Sequence, residues 1–218
     1  MKILIVAATN FEIENIQSEI ENNFDNKQKT NIEFLVTGIG IHATTYCLTK
    51  YLISNKPELV INIGICGSFN RELNIGDIVN ITEEQFGDLG IIDKNNFCTL
   101  FDFEFLNPNQ FPYNNQKLIS NFENVNNFEI KHAKGITVNT CSGEETQIRQ
   151  RIEKFNSDVE SMEGAAVFYV CLNENIPVIQ IRAISNYVEE RNKLNWNIPL
   201  ALQNLTKTIK LYLTLLIK

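Results

Sequence analysis

Short runs in which nearly every residue is apolar set the tightest limit on how this chain can fold. Ile3-Leu4-Ile5-Val6-Ala7 and Leu59-Val60-Ile61-Asn62-Ile63 show none of the apolar–polar alternation of a half-exposed strand. A segment of that kind is a strand covered on both faces, the situation of strands in a parallel sheet with helices above and below. Between the runs the period changes. Ile13, Ile16, Ile20 and Phe24 recur at helical spacing. A second strand over 33–37 closes on Gly38-Ile39-Gly40, and a helix follows over about 42–52. The third apolar run enters a glycine turn, Gly64-Ile65-Cys66-Gly67-Ser68, and a fourth strand over 77–81 follows Gly76. Later come a strand over 135–138, a helix near 144–154, a helix opening at Glu163 and a strand over 178–185. The last helix starts at Pro199, a residue suited to a first turn, and carries Leu202, Leu205, Ile209, Tyr212 and Leu216 on one face. This order predicts an α/β fold around a central, mainly parallel sheet, organised as one domain over 1–218.

One stretch breaks the alternation. Residues 86–127 are irregular, rich in Asn, Phe and Pro, and too long for an ordinary connection. Phe97, Phe101, Phe103, Phe105, Phe111 and Tyr113 fall within it, which suits a loop with a small core of its own. A formal net charge of −7 argues against nucleic acid or an anionic membrane surface as partner. The first apolar run is short and meets Asn10, Glu12 and Glu14 at once, so it reads as a strand and not as a signal peptide. No apolar run reaches the length of a membrane span. Cys47, Cys66, Cys98, Cys141 and Cys171 are scattered and odd in number, the pattern of free thiols in a reducing cytoplasm. His42 and His132 have no acidic companions at ligand spacing, so no metal site is expected.

Parallel sheets bind ligands beyond the carboxyl ends of their strands. Four features lie there: Glu12 after the first strand, Gly38-Ile39-Gly40 after the second, 64–67 after the third, and Asn186 after the late one. Gly38-Ile39-Gly40 lacks the third glycine of a dinucleotide fingerprint, and neither a GxxxxGK loop nor a GxSxG elbow is present. Glu163 opens an otherwise apolar helix, Ala165-Ala166-Val167-Phe168-Tyr169-Val170-Cys171. Burying that carboxylate without a partner is costly, whereas a helix start favours its charge. It either caps its own helix or accepts two hydrogen bonds from a diol such as that of ribose.

With these strand ends in register, the chain resembles the purine nucleoside phosphorylase / nucleosidase superfamily over nearly its whole length. The resemblance is carried by Ile5-Val6-Ala7-Ala8 leading to Glu12, Thr37-Gly38-Ile39-Gly40, Asn62-Ile63-Gly64-Ile65-Cys66-Gly67-Ser68, Asn74-Ile75-Gly76-Asp77-Ile78-Val79, Met162-Glu163-Gly164-Ala165-Ala166 and Arg182-Ala183-Ile184-Ser185-Asn186. It implies a three-layer sandwich with a twisted, mostly parallel mixed sheet flanked by helices. It also implies a homodimer or larger homo-oligomer, a small-molecule nucleoside as ligand, and no metal or organic cofactor. Cleaving an N-glycosidic bond passes through a ribose cation, so a site must hold the sugar, place a nucleophile and stabilise the departing purine. By the resemblance, Glu163 with Met162 is the ribose clamp and Glu12 the base that activates water. Phosphorylases of the family surround that position with arginines. No Arg or Lys lies between Ala7 and Ile16, and Asn62 stands where a phosphate-binding Arg tends to occur, which favours water over phosphate. Asn186 replaces the Asp that methylthioadenosine/S-adenosylhomocysteine nucleosidases use to protonate adenine; an amide lacks that proton but suits a 6-oxopurine.

The run from Ser185-Asn186-Tyr187-Val188-Glu189 through Arg191-Asn192 to Asn195-Trp196-Asn197-Ile198-Pro199 is similar to the signature of futalosine hydrolases. That resemblance implies release of hypoxanthine from futalosine in a route to menaquinone. Arg191 and Trp196 then cover or line the site, or the indole anchors the last helix; both readings stand open. Cys66, Gly67 and Thr140 are expected in the pocket walls. The aromatics of 86–127 suit the bulky 5′ substituent of futalosine, directly or across a dimer interface. Rival readings are another nucleosidase or phosphorylase of this fold and a non-catalytic nucleoside-binding protein, which has no need of Glu12.

Overall fold

The computed structural model describes residues 1–94, 96–122 and 128–217. Residue 95 and residues 123–127, the tail of the irregular stretch anticipated over 86–127, lie outside the described residues, as does residue 218.

The first strand, β1 (Ile3–Ala7), shows why its residues are apolar on both parities. Ile3, Ile5 and Ala7 pack with Ile13, Ile16 and Ile20 of α1 (Asn10–Asn23) and with Leu205, Ile209 and Tyr212 of α6 (Ile198–Leu216). Leu4 and Val6 face the opposite layer, against Leu48 and Leu52 of α3 (Ile41–Ser54) and Val167, Phe168 and Cys171 of α5 (Gly164–Asn173). Two helical layers thus sandwich the sheet, and the period-two split of β1 divides the core between them. Each fully buried Ile or Leu contributes roughly 1.5–3 kcal/mol. Helix α2 is one short turn, Asn26–Lys29.

Strand β1 runs parallel to β2 (Ile32–Val36) on one side and to β3 (Leu59–Ser68) on the other. The late strand β10 (Val178–Tyr187) is parallel to β3, which puts the carboxyl ends of β1, β3 and β10 at one edge. Strand β4 (Ile78–Phe86) is antiparallel to β10 and parallel to β8 (Lys131–Thr137), with β7 (Leu118–Ile119) on its flank. Strand β9 (Val159–Ser161) is parallel to β8 and meets β3 antiparallel at Gly67 and Ser68. The ladder β3–β10–β4–β8–β9–β3 therefore closes on itself, while β1 and β2 extend it on one side. Closure is possible because β3 is ten residues long: its first half pairs with β1 and its last two residues with β9.

Three expectations need correction. The third strand has no glycine turn after residue 63; it continues to Ser68, paired with β10 so that Gly64 lies beside Arg182 and Gly67 beside Asn186. Strand β9 went unrecognised because three residues are too few to show a period. The aromatic stretch is more regular than expected, holding a hairpin of β5 (Gly90–Asp93) and β6 (Asn96–Thr99) and then turns. Its rings pack locally: Phe97 on Phe155 of α4 (Glu145–Phe155) at 6.0 Å, Phe101 on Tyr113 at 5.2 Å and Tyr113 on Tyr169 at 6.2 Å. No helix among the described residues is long and apolar enough to cross a membrane.

Candidate active site

A cleft of about 440 Å³ opens at the carboxyl edge of β1, β3 and β10, and Glu12, Glu163 and Asn186 all line it. Helix α1 starts directly after β1, so its first turn delivers Glu12 to the edge. One oxygen, Oε2, accepts from the Thr9 backbone N–H at 3.2 Å and from Thr9 Oγ1 at 3.1 Å. The other, Oε1, accepts from Ile65 N–H of β3 at 3.1 Å. The carboxylate therefore both caps its helix and spans to the next strand. Gly64 is required by this approach, since a Cβ there would lie 2.6 Å from Glu12 Oε1.

Glu163 is the N-cap residue of α5, yet its side chain caps nothing. Instead Oε1 accepts from Gly40 N–H at 3.2 Å, and Oε2 faces the Arg182 guanidinium at 3.5 Å. Gly40 has φ of 92°, a left-handed conformation that glycine adopts without a Cβ penalty, and this turns its N–H toward the cleft. Burial pushes the Glu163 carboxyl above its ordinary value, with Arg182 and the Gly40 N–H opposing and the Glu12 charge reinforcing the rise. Glu12 and Glu163 line the same cleft.

Arg182 is the functional side chain that sequence reasoning did not assign. It is 1% exposed, and its Nη2 donates to Asn62 Oδ1 at 2.8 Å and its Nη1 to Ile65 O at 3.3 Å. Asn62 is itself held by donating to Val6 O at 3.2 Å. The expected absence of arginine holds for the segment around Glu12, but β10 delivers a guanidinium from 170 residues along the chain. The available signal was a charged residue in the mostly apolar run of 178–184. Beside Glu12 and Glu163, the Arg182 guanidinium is already engaged with Asn62, Ile65 O and Glu163, while Arg191 belongs to another part of the cleft lining. A phosphate dianion beside Glu12 would meet two carboxylates and no unengaged guanidinium, whereas water can bridge carboxylate and cation.

Asn186 follows a break in the β3–β10 register between Ile184 and Asn186, which turns its side chain to the cleft. Oδ1 accepts from Ser185 Oγ at 2.7 Å, and Nδ2 donates to Tyr187 O at 2.9 Å. Only this amide orientation meets both partners, and it leaves one N–H and one lone pair for a ligand. Gly67 lies alongside, where a Cβ would come within 3.2 Å of Asn186 Nδ2.

Met162, half-buried, lines the cleft beside Glu163, and Cys66, Gly67 and Trp196 line it too. Burial pushes the Cys66 thiol up to about 12, so it serves as a neutral wall. Thr140 is not brought in. It is exposed and its backbone N–H donates to Asp88 at 3.2 Å, while its neighbour Cys141 lines the cleft instead. None of Phe97, Phe101, Phe103, Phe105, Phe111 and Tyr113 lines the cleft; its apolar lining includes Phe11, Ile39 and Ile198 with Met162. Those three were missed because each is a lone apolar residue in a loop or first turn, without a period to mark it. Arg191 and Trp196 do line the site, the guanidinium carbon 5.4 Å from the indole centroid. Among the described residues no cluster of His, Cys, Asp and Glu could hold a metal ion, and all five cysteines are free.

The family model described as Phosphorylase superfamily matches residues 2–214. A 5′-methylthioadenosine/S-adenosylhomocysteine nucleosidase of Haemophilus ducreyi is 31% identical over 195 residues, which is 83% of this chain and 78% of that protein. Among solved structures, the nucleosidase of the same name from Colwellia psychrerythraea, in complex with adenine, has a TM-score of 0.80 at 20% identity, covering 99% of this chain and 96% of its own. Futalosine hydrolase of Helicobacter pylori has a TM-score of 0.77 at 19% identity, with 96% of each chain covered. At those identities the two structural likenesses bear on the fold alone.

Proposed function

The chain belongs to the phosphorylase superfamily, and from that membership we propose that it hydrolyses the N-glycosidic bond of futalosine, releasing hypoxanthine and leaving dehypoxanthine futalosine. N-glycosidase chemistry is what the nucleosidase relatives have in common; the choice of futalosine is our reading.

In that reading Glu163 accepts from the ribose hydroxyls and Met162 packs on the sugar. Water sits between Glu12 and Arg182, beneath the anomeric carbon. As water attacks, its proton passes to Glu12, the C–N bond breaks and the electron pair stays on the purine. The single observation that carries the choice of base is the Asn186 amide. Its orientation is set by Ser185 and Tyr187, so one N–H is left to donate to N7 or O6 of a 6-oxopurine. Phe11, Ile39 and Ile198, apolar residues of the lining, suit a large 5′ substituent. The same reading has two or more copies of the chain acting together in a reducing cytoplasm, on the futalosine route to menaquinone.

A second reading has an observation in its favour: the sequence relatives carry the name methylthioadenosine/S-adenosylhomocysteine nucleosidase. The test is release of free base from futalosine, inosine and methylthioadenosine at equal concentration, with and without phosphate. Futalosine should lead, with free sugar and no sugar phosphate as product. Faster cleavage of methylthioadenosine would overturn the base assignment.

A further inference from the structure

The proposed hydrolysis leaves the departing purine without an acid, because Asn186 has no proton to give. Of the three acids on this side, Glu160, Glu189 and Glu190, the first two are engaged and the third is exposed. Glu160 is 5% exposed and accepts from Ser142 N–H at 2.8 Å, Ser142 Oγ at 2.5 Å and Arg151 Nη1 at 2.8 Å. Glu189 is tied to Arg71 at 2.9 Å and to Asn195 Nδ2 at 2.8 Å. The Cys141 thiol is pushed up by burial and by Glu160, so it stays neutral and is at most a weak donor.

Arg191 is different. A recess of about 70 Å³ adjoins the main cleft, and the two share Gly67, Cys141, Glu160, Asn186, Arg191 and Trp196 as walls. Four of the chain's five arginines, Arg71, Arg149, Arg151 and Arg182, are in ion pairs. Among the described residues Arg191 is in none; its guanidinium lies over the indole of Trp196. Its guanidinium is thus free of an ion pair, oriented by a ring face and placed on the wall that carries Asn186, with Glu160, Glu189 and Glu190 around the same recess.

We propose that Arg191 is a further catalytic residue, one that donates to the departing base and takes up the negative charge the purine acquires as the glycosidic bond breaks. The inference rests on the nucleosidase reading of the same cleft. The bonds balance without an acid: the C–N pair goes to the purine, the water oxygen bonds the anomeric carbon, and the water proton goes to Glu12. The base leaves as an anion held by Arg191 and the free N–H of Asn186, and is protonated by solvent on release. A planar guanidinium suits this task because it presents parallel donors to the O6 and N7 edge.

The test uses the full chain, with Arg191→Gln and Arg191→Lys, on futalosine, inosine and 4-nitrophenyl riboside, whose leaving group is stable as an anion. Arg191→Gln should lower kcat for both hypoxanthine nucleosides by roughly 10- to 100-fold, somewhat below the usual loss of a buried oxyanion donor because the site is exposed. Release of nitrophenolate should change by less than about threefold, and Arg191→Lys should recover part of the loss by keeping the charge. Equal losses on all three substrates would overturn the role, as would a loss confined to KM for futalosine, which would mean that Arg191 only binds the 5′ substituent. If the wild-type chain releases hypoxanthine and Arg191→Gln does so equally well, this role falls and the function stands. If the wild-type chain releases none, both fall.

Discussion

Glu12→Gln separates chemistry from binding, and the geometry sets its size. The carboxylate accepts three hydrogen bonds, two from Thr9 on Oε2 and one from Ile65 N–H on Oε1. With Gln the amide oxygen can face Ile65 and the NH2 group Thr9. The Thr9 hydroxyl can rotate to accept, but the Thr9 backbone N–H cannot, and one donor in the half-buried first turn loses its acceptor. That costs about 1–3 kcal/mol. At about 2–4 °C per kcal/mol for a chain of this length, the melting temperature should fall by roughly 2–12 °C, leaving the protein folded. Loss of a general base costs on the order of a hundred- to ten-thousandfold in kcat, or about 3–5 kcal/mol. Binding should be nearly unchanged, because the Gly40–Glu163–Arg182 contacts are untouched and removal of the Glu12 charge favours ionised Glu163. Base release is followed chromatographically at saturating futalosine. Binding is followed by fluorescence of Trp196, the chain's one tryptophan, which lines the cleft. A folded variant with kcat within about threefold of wild type would refute the role of Glu12.

Glu163→Gln should lower kcat and raise KM together, because it removes both the sugar clamp and the partner of buried Arg182; Met162→Leu should stay within a few-fold of wild type, being close in volume. Kinetics on futalosine and on its dideoxyribose analogue check this, and equal rates on the two substrates would remove Glu163 from the clamp. Asn186→Asp places an oxygen where Nδ2 now donates to Tyr187 O, so an ionised aspartate is repelled there. Its activity on futalosine should be depressed at alkaline pH and recover as pH falls, with adenine release from methylthioadenosine rising in parallel; a flat profile for both substrates would contradict the geometry. Glu84, wholly buried between Thr137 Oγ1 and Gln180 Nε2, is pushed up to about 7 by burial, against the opposing pull of those hydrogen bonds. The folded state keeps this proton between the unfolded value of 4.5 and about 7, so stability should be full below that window and decline as pH rises through it. The decline should approach about 3 kcal/mol, and Glu84→Gln should abolish it in denaturant titrations at pH 5 and pH 8. A wild-type stability flat over that range would exclude the buried proton.

Local chemistry made much of this protein legible from its sequence. Apolar runs without alternation identified β1 and the first half of β3, because a strand covered on both faces carries few polar residues on either parity. Helical spacing identified the core face of α6, and the expected placement of Glu12 and Asn186 past strand ends pointed to the right edge, although Asn186 is one of the last two residues of β10. Tertiary structure decided what depends on pairing. Whether Gly64 begins a turn or extends a strand depends on the ladder with β10, which only the folded chain supplies. The three residues of β9 become a strand because β8 and β3 flank them, and their pairing closes the sheet. The site charge was decided in the same way: Arg182 is remote from Glu12 and Glu163 in sequence, and the parallel register of β3 and β10 brings it between them. Thr140 and Cys141 are both small residues on paper, and the hydrogen bonds of Asp88 and Glu160 to the loop go with Cys141, not Thr140, lining the cleft. A residue's type and period report its local conformation and burial, whereas which side chains share one cavity is set by long-range register, and no window of neighbouring residues contains that information.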